Sequence, residues 1–160
     1  MSKEILFALD ASDAALKVVE HVAPLLDKDV KITLFHVLPK PPVLGVEANS
    51  FLTDHSPIFG ENAAQFKTWM EHDRNVMKEV MQKAESILVN CGIDPQNISK
   101  KIEDSGFGVA RDILEELGNG LYNTVVMGRR GLSGVGRFLM GSVSTKVIHH
   151  AKDCGVWIVE

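Results

Sequence analysis

Five glycines, Gly128, Gly131, Gly134, Gly136 and Gly141, fall within fourteen consecutive positions of the stretch VVMGRRGLSGVGRFLMGSVSTKVIHHA, residues 125–151. Average usage of about 7% would place roughly one there. From Val125 to His150 the stretch also carries Arg129, Arg130, Arg137 and Lys146 and no acidic residue, in a chain of formal net charge -4. Glycines let backbone N–H groups come close to an anion, and guanidinium groups bind phosphate oxygens in a fork. The chemistry indicated is the holding of a phosphate.

Two widespread phosphate patterns do not fit. A GxxxxGK[ST] loop fails in both registers, since Gly136 to Gly141 runs on into Ser142 and Val143, and Gly131 to Gly136 into Arg137 and Phe138. The dinucleotide fingerprint GxGxxG fails because Leu139 stands at the third position after Gly134 and Gly136, and because the stretch follows the fourth apolar run of the chain, not the first. What remains is Gly-x-x-Gly, nine residues, then Gly-Ser. Gly141 and Ser142 open a helical segment whose unpaired N–H groups and positive dipole end would face the same anion, with Ser142 as N-cap and hydroxyl donor. A flexible connector that happens to end in glycine at a helix start is the alternative.

The rest of the chain supplies the elements that must position this loop. Ile5 to Leu9 is a short apolar run ending at Asp10, and Ser12 opens a segment with Ala15, Val19, Val22 and Leu26 on one helical face. The run ITLFHVL is a second buried strand, stopped by Pro39, Pro41 and Pro42, and residues 39–60 read as a long irregular connection, either a lid or simply a tether. Glu61 to Cys91 carries Phe66, Trp69, Met70, Met77, Met81, Ala84 and Leu88 at helical spacing, which predicts one long amphipathic helix, with a break possible near Asp73, whose apolar stripe is core. Ile98 to Glu103 alternates apolar with polar residues, the pattern of an edge strand, and Lys100 and Lys101 blunt it. Val109 to Leu117 is helical, Thr124 to Met127 a fourth strand, Ser142 to Ala151 a helix, and Val156 to Val159 a final strand.

Strands alternating with helices imply a doubly wound parallel α/β sheet with helices on both faces, because parallel neighbours need right-handed crossovers. The continuously apolar strands one, two and four belong inside and the polar third at an edge, which the order 3-2-1-4-5 satisfies. Its switch point lies between strands one and four, where Asp10 and Gly128 end their strands. The 160 residues are expected to form a single domain, 1-160. Five apolar residues before Asp10 are too few for a signal peptide or a membrane span, so a cytoplasmic protein is expected, with Cys91 and Cys154 as buried reduced thiols. The acidic balance argues against nucleic acid as a partner. The adjacent His149 and His150 diverge by about 100° on a helix and read as surface or packing residues. A receiver-type acidic pocket would need a second acid beside Asp10, and Ala11 stands there.

The combination of LFALDAS, LFHVL and VVMGRRG…GSVS resembles the universal stress protein family, over essentially the whole chain. The resemblance implies an ATP site. The aspartate after strand one and the backbone after strand two would hold the adenosine, and the glycine loop with the following Ser-x-Ser the phosphates. In this sequence those are Asp10, Val37, Met127, Gly128, Gly131, Gly141, Ser142, Val143 and Ser144. Ala8 and Leu9 stand beside Asp10 where a Pro-Thr pair is common in the family, which removes a hydroxyl contact; Arg129 and Arg130 stand where Ser-His or Ser-Arg is commoner, which adds charge suited to phosphates. The expected role is an ATP-binding regulatory protein in which nucleotide acts as a signal or conformational ligand, with Mg2+ held through the phosphates and weak or no hydrolysis. The alternatives are an adenine-nucleotide hydrolase or phosphotransferase on the same fold, and an interaction protein that binds no nucleotide. A homodimer is expected through Val156 to Val159, an apolar strand placed at a sheet edge without a gatekeeper before Glu160, and the family resemblance points the same way.

Overall fold

The computed structural model describes residues 4–39, 59–130 and 140–160, with the side chains of 59–66 left aside. Five strands, β1 (Glu4–Ala8), β2 (Lys31–Leu38), β3 (Ile98–Asp104), β4 (Thr124–Gly128) and β5 (Gly155–Val159), form one sheet in the order β3-β2-β1-β4-β5. Every neighbouring pair is parallel. The helices are α1 (Asp13–Val22), α2 (Phe59–Asn90), α3 (Val109–Asn119) and α4 (Ser142–His150).

Side-chain alternation along the strands divides the apolar residues into two layers. Ile5, Phe7, Ile32, Leu34 and Val126 pack with Val18, Val19 and Val22 of α1 and Met77, Met81 and Leu88 of α2. Leu6, Phe35, Val37, Val125 and Met127 pack on the other face with Ile113 of α3 and Val147 of α4. The central strands are closed on both faces, as their continuous apolar runs require: β2 is buried from Ile32 to Leu38. At the β3 edge the two lysines are tied down, Lys100 to Glu85 of α2 and Lys101 to Glu103 and Glu116, and those two carboxylates hold the Lys101 ammonium above its ordinary pKa.

Three expectations need correction. The long helix begins at Phe59 and runs unbroken through Asp73; no glycine or proline interrupts 61–91, so nothing forces a kink. Among the described side chains its apolar stripe is core from Met77 onward, while Trp69 is 42% exposed and Met70 half-buried. Cys91 and Cys154 are free thiols but only half-buried; burial still raises the Cys154 pKa. The connection 40–58, on which the lid reading falls, and residues 131–139, with Gly131, Gly134, Gly136 and Arg137, lie outside the described residues.

Candidate functional site

The register brings the proposed site residues to one end of the sheet. Ala8 pairs with Phe35 on one side and Met127 on the other, and Gly128 pairs with Val159. Leu9 and Asp10 therefore leave β1 beside the ends of β2 and β4. From that edge α1 turns to one face of the sheet and α4 to the other, since their buried residues belong to different layers. This divergence is the switch-point crevice in which open sheets of this class bind ligands.

Asp10 is half-buried, and its Oδ1 accepts from the Ser12 amide at 3.0 Å and from the Ser12 hydroxyl. The carboxylate thus closes an Asx turn at the start of α1. Among the described residues none bonds its second oxygen.

Across the crevice the ends of the glycine loop are pinned together. The Arg129 amide donates to Val159 O at 2.8 Å, and the Gly141 amide returns to Arg129 O at 2.9 Å. The buried Ser144 hydroxyl donates to Gly128 O at 2.9 Å and to Arg129 O at 3.2 Å. The Thr145 hydroxyl donates to Gly141 O at 2.9 Å. Gly128 sits in close quarters, for a Cβ there would lie 3.3 Å from the Arg130 carbonyl oxygen and 3.6 Å from Val18, so the neighbouring backbone would have to give by a few tenths of an ångström. Gly141, not Ser142, is the N-cap of α4, in extended conformation (φ -62°, ψ 153°), and no side chain caps it among the described residues. Ser142 is exposed at the first helical position, and the amides of Ser142, Val143 and Ser144 have no acceptor within the helix.

The guanidinium groups arrive at the same end. Arg129 Nη2 is 2.5 Å and Arg130 Nη2 3.8 Å from Glu160 Oε1, with Glu160 itself largely exposed. Both arginines are therefore oriented by a surface carboxylate that an incoming anion could displace.

Of the expected site residues, Ala8, Leu9, Asp10, Val37, Met127, Gly128, Arg129, Arg130, Gly141, Ser142, Val143 and Ser144 gather at this edge; Gly131 lies outside the described residues. Ala8, Leu9, Val37 and Met127 can offer only backbone, because their side chains are apolar and mostly buried. The sequence reading missed Ser12 and Glu160. The Asp-x-Ser spacing was available for the first; nothing short of the sheet register reveals the second. The two adjacent histidines are exposed, with His150 Nδ1 donating to Lys146 O. Asp104 is paired with Arg74 at 2.7 Å. No group of three or more potential metal ligands occurs among the described residues, and no described helix is long and apolar enough to cross a membrane.

Comparison with known proteins gives a match between residues 1–160 and the model of the universal stress protein family. The chain is 30% identical to universal stress protein Sll1388 of Synechocystis over 98% of this chain and 97% of the relative. Among solved structures, universal stress protein UspA from Lactobacillus plantarum superposes with a TM-score of 0.73 at 17% identity, over 99% of this chain and 97% of that one. A universal stress protein from Archaeoglobus fulgidus in complex with dAMP has a TM-score of 0.59 at 18% identity, covering 100% and 98%. A family member from Arabidopsis thaliana with AMP bound has a TM-score of 0.58 at the same identity, covering 98% and 90%.

Proposed function

Since this chain belongs to the universal stress protein family, we propose that it is a single-domain, cytoplasmic regulatory protein that binds an adenine nucleotide, ATP in preference to AMP, in the crevice between β1 and β4. The observation that carries this reading is the α4 N-terminus, where amides without a described cap stand beside two arginines at the same end of the sheet as the Asp10 carboxylate. Amides and guanidinium groups favour the phosphates, and the carboxylate favours a ribose hydroxyl. The complexes of the Archaeoglobus and Arabidopsis proteins with dAMP and AMP support adenine as the base. Mg2+ would enter with ATP, held through the phosphate oxygens. The nucleotide acts as a conformational ligand.

Calorimetric titration with ATP, ADP and AMP, with and without Mg2+, tests the reading, and a product assay on the same samples separates binding from hydrolysis. Tighter binding with each added phosphate is expected. Absence of binding by all three would end the proposal in favour of an interaction protein, and rapid release of phosphate would favour the enzyme.

A homodimer through β5 is the accompanying proposal. β5 pairs with β4 alone among the described strands, Trp157 is 41% exposed, and Val156, Ile158 and Val159 are half-buried. Unpaired edge amides beside apolar side chains suit the same strand of a second copy. Sedimentation at micromolar concentration should give twice the 17.6 kDa chain mass, and the single mass would refute the dimer.

A further inference from the structure

The nucleotide reading uses Asp10 and Val37 but not the side chain packed between their strands. From Ile32 to Leu38, β2 is apolar apart from Thr33 and His36, and the His36 imidazole is only 7% exposed. Its Nδ1 lies 2.7 Å from the Leu9 carbonyl oxygen. A carbonyl only accepts, so Nδ1 carries the hydrogen and donates. Nε2 has no hydrogen-bond partner, since Asp73 Oδ2 of α2 stands 3.8 Å away, beyond bonding distance. A buried nitrogen without a partner is a cost that leucine or phenylalanine would not carry here. The hydrogen bond that the imidazole does make is at Nδ1.

The Leu9 carbonyl is the place where the β1–β2 ladder would make its next rung. The Leu9 amide donates to Phe35 O at 2.9 Å, so the peptide groups of Phe35 face β1. By strand alternation those of Val37 face the same way, whereas the Leu38 carbonyl faces β3 and accepts from the Ser105 amide. A regular parallel ladder would continue with the Val37 amide donating to Leu9 O. Among the described backbone bonds the ladder stops one rung earlier, at Leu9 to Phe35, and the ring N–H of His36 occupies that carbonyl instead. Val37 is only 2% exposed and its amide has no acceptor among the described residues; a buried amide of that kind is a group awaiting an acceptor.

We infer that His36 is a positioning residue for base recognition. By taking the Leu9 carbonyl with its side chain it ends the β1–β2 ladder early and reserves the Val37 N–H and C=O for a planar ligand edge that offers an acceptor next to a donor, as adenine does with a ring nitrogen and its exocyclic amine. The identity of the ligand rests on the nucleotide reading above; the early end of the ladder does not.

Amide hydrogen exchange on the ligand-free protein reads the ladder itself. The Val37 amide should exchange about tenfold or more faster than that of Phe35, and slow when ATP is added. In His36→Phe the donor is gone and Val37 can close the rung, so its amide becomes protected without ligand. ATP affinity then falls about tenfold while competition by inorganic tripolyphosphate is unchanged. His36→Asn, whose amide nitrogen can stand where Nδ1 stands, keeps ATP affinity within about threefold of the natural protein. Equal protection of Val37 and Phe35 in the natural protein overturns the inference, as does His36→Phe binding ATP normally. If the natural protein binds no ATP, the nucleotide reading falls, and the exchange comparison still decides the role of His36.

Discussion

The N-termini of α3 and α4 reach the same edge of the sheet and are finished in opposite ways. At α3 the chain supplies its own anion. Asp112, buried at 8% exposure, accepts from the Ser105 hydroxyl at 2.7 Å and from the amides of Gly106 and Phe107 at 3.1 and 3.0 Å, while the Ser105 oxygen takes the Gly108 amide at 3.1 Å. Burial alone would raise the Asp112 pKa; the Ser105 hydroxyl and these amides outweigh it and hold the carboxyl below its ordinary value. Gly108 makes the turn possible with φ 116°, where a side chain would be strained. At α4 there is no acidic residue in the first turn and no described side-chain cap, and two arginines stand close by on an exposed glutamate. A helix end satisfied from within is a stability device; one left to solvent beside positive charge suits a ligand.

The largest effect should come from breaking the closed end. Asp112→Ala removes a carboxylate from several donors at once and should cost about 3 kcal/mol of stability, read as a lower midpoint in urea, with ATP affinity unchanged in the folded fraction. The pH dependence follows from the lowered pKa of Asp112. Its stabilisation is complete above the ordinary aspartate pKa and is lost as pH falls through the folded-state value, so acid should narrow the gap between natural protein and variant.

At the open end the order is reversed, with ligand affinity moving more than stability. Replacing Arg129 and Arg130 together by alanine should weaken ATP by about 1.5 to 3 kcal/mol, roughly tenfold to a hundredfold, measured by calorimetry. Ser142→Ala should weaken it by about 1 kcal/mol, and because Ser142 sits after the N-cap the melting temperature should barely change. The smallest expected change is a gain. Glu160→Gln releases the arginines from an exposed ion pair and should raise ATP affinity about twofold, an increment that fades with added salt.

The sequence made the architecture legible because the strands differ in polarity. The run from Ile32 to Leu38 is closed on both faces, whereas Ser99, Lys100 and Lys101 can sit only at an edge, and that contrast determines the strand order. Glycine spacing and the aspartate after the first strand likewise pointed to the crevice. Less legible were features that depend on which groups meet across strands. The periodicity of α2 cannot say that the core ends before Trp69 and leaves that side chain exposed. A lone histidine in an apolar strand carries no sign that its ring nitrogen ends a ladder at Leu9. Nor could the arginine pair announce Glu160, whose approach is set by the β4–β5 register.

The central claim, that the α4 end is where the nucleotide's phosphates bind, is tested most directly by following backbone amide resonances of the natural protein during titration with ATP. The amides of Arg129, Gly141, Ser142 and Val143 should shift in step with saturation while those of Gly106, Phe107 and Gly108 stay in place. Saturating ATP that leaves the α4 amides unmoved, or that moves the α3 amides in their stead, would contradict the account.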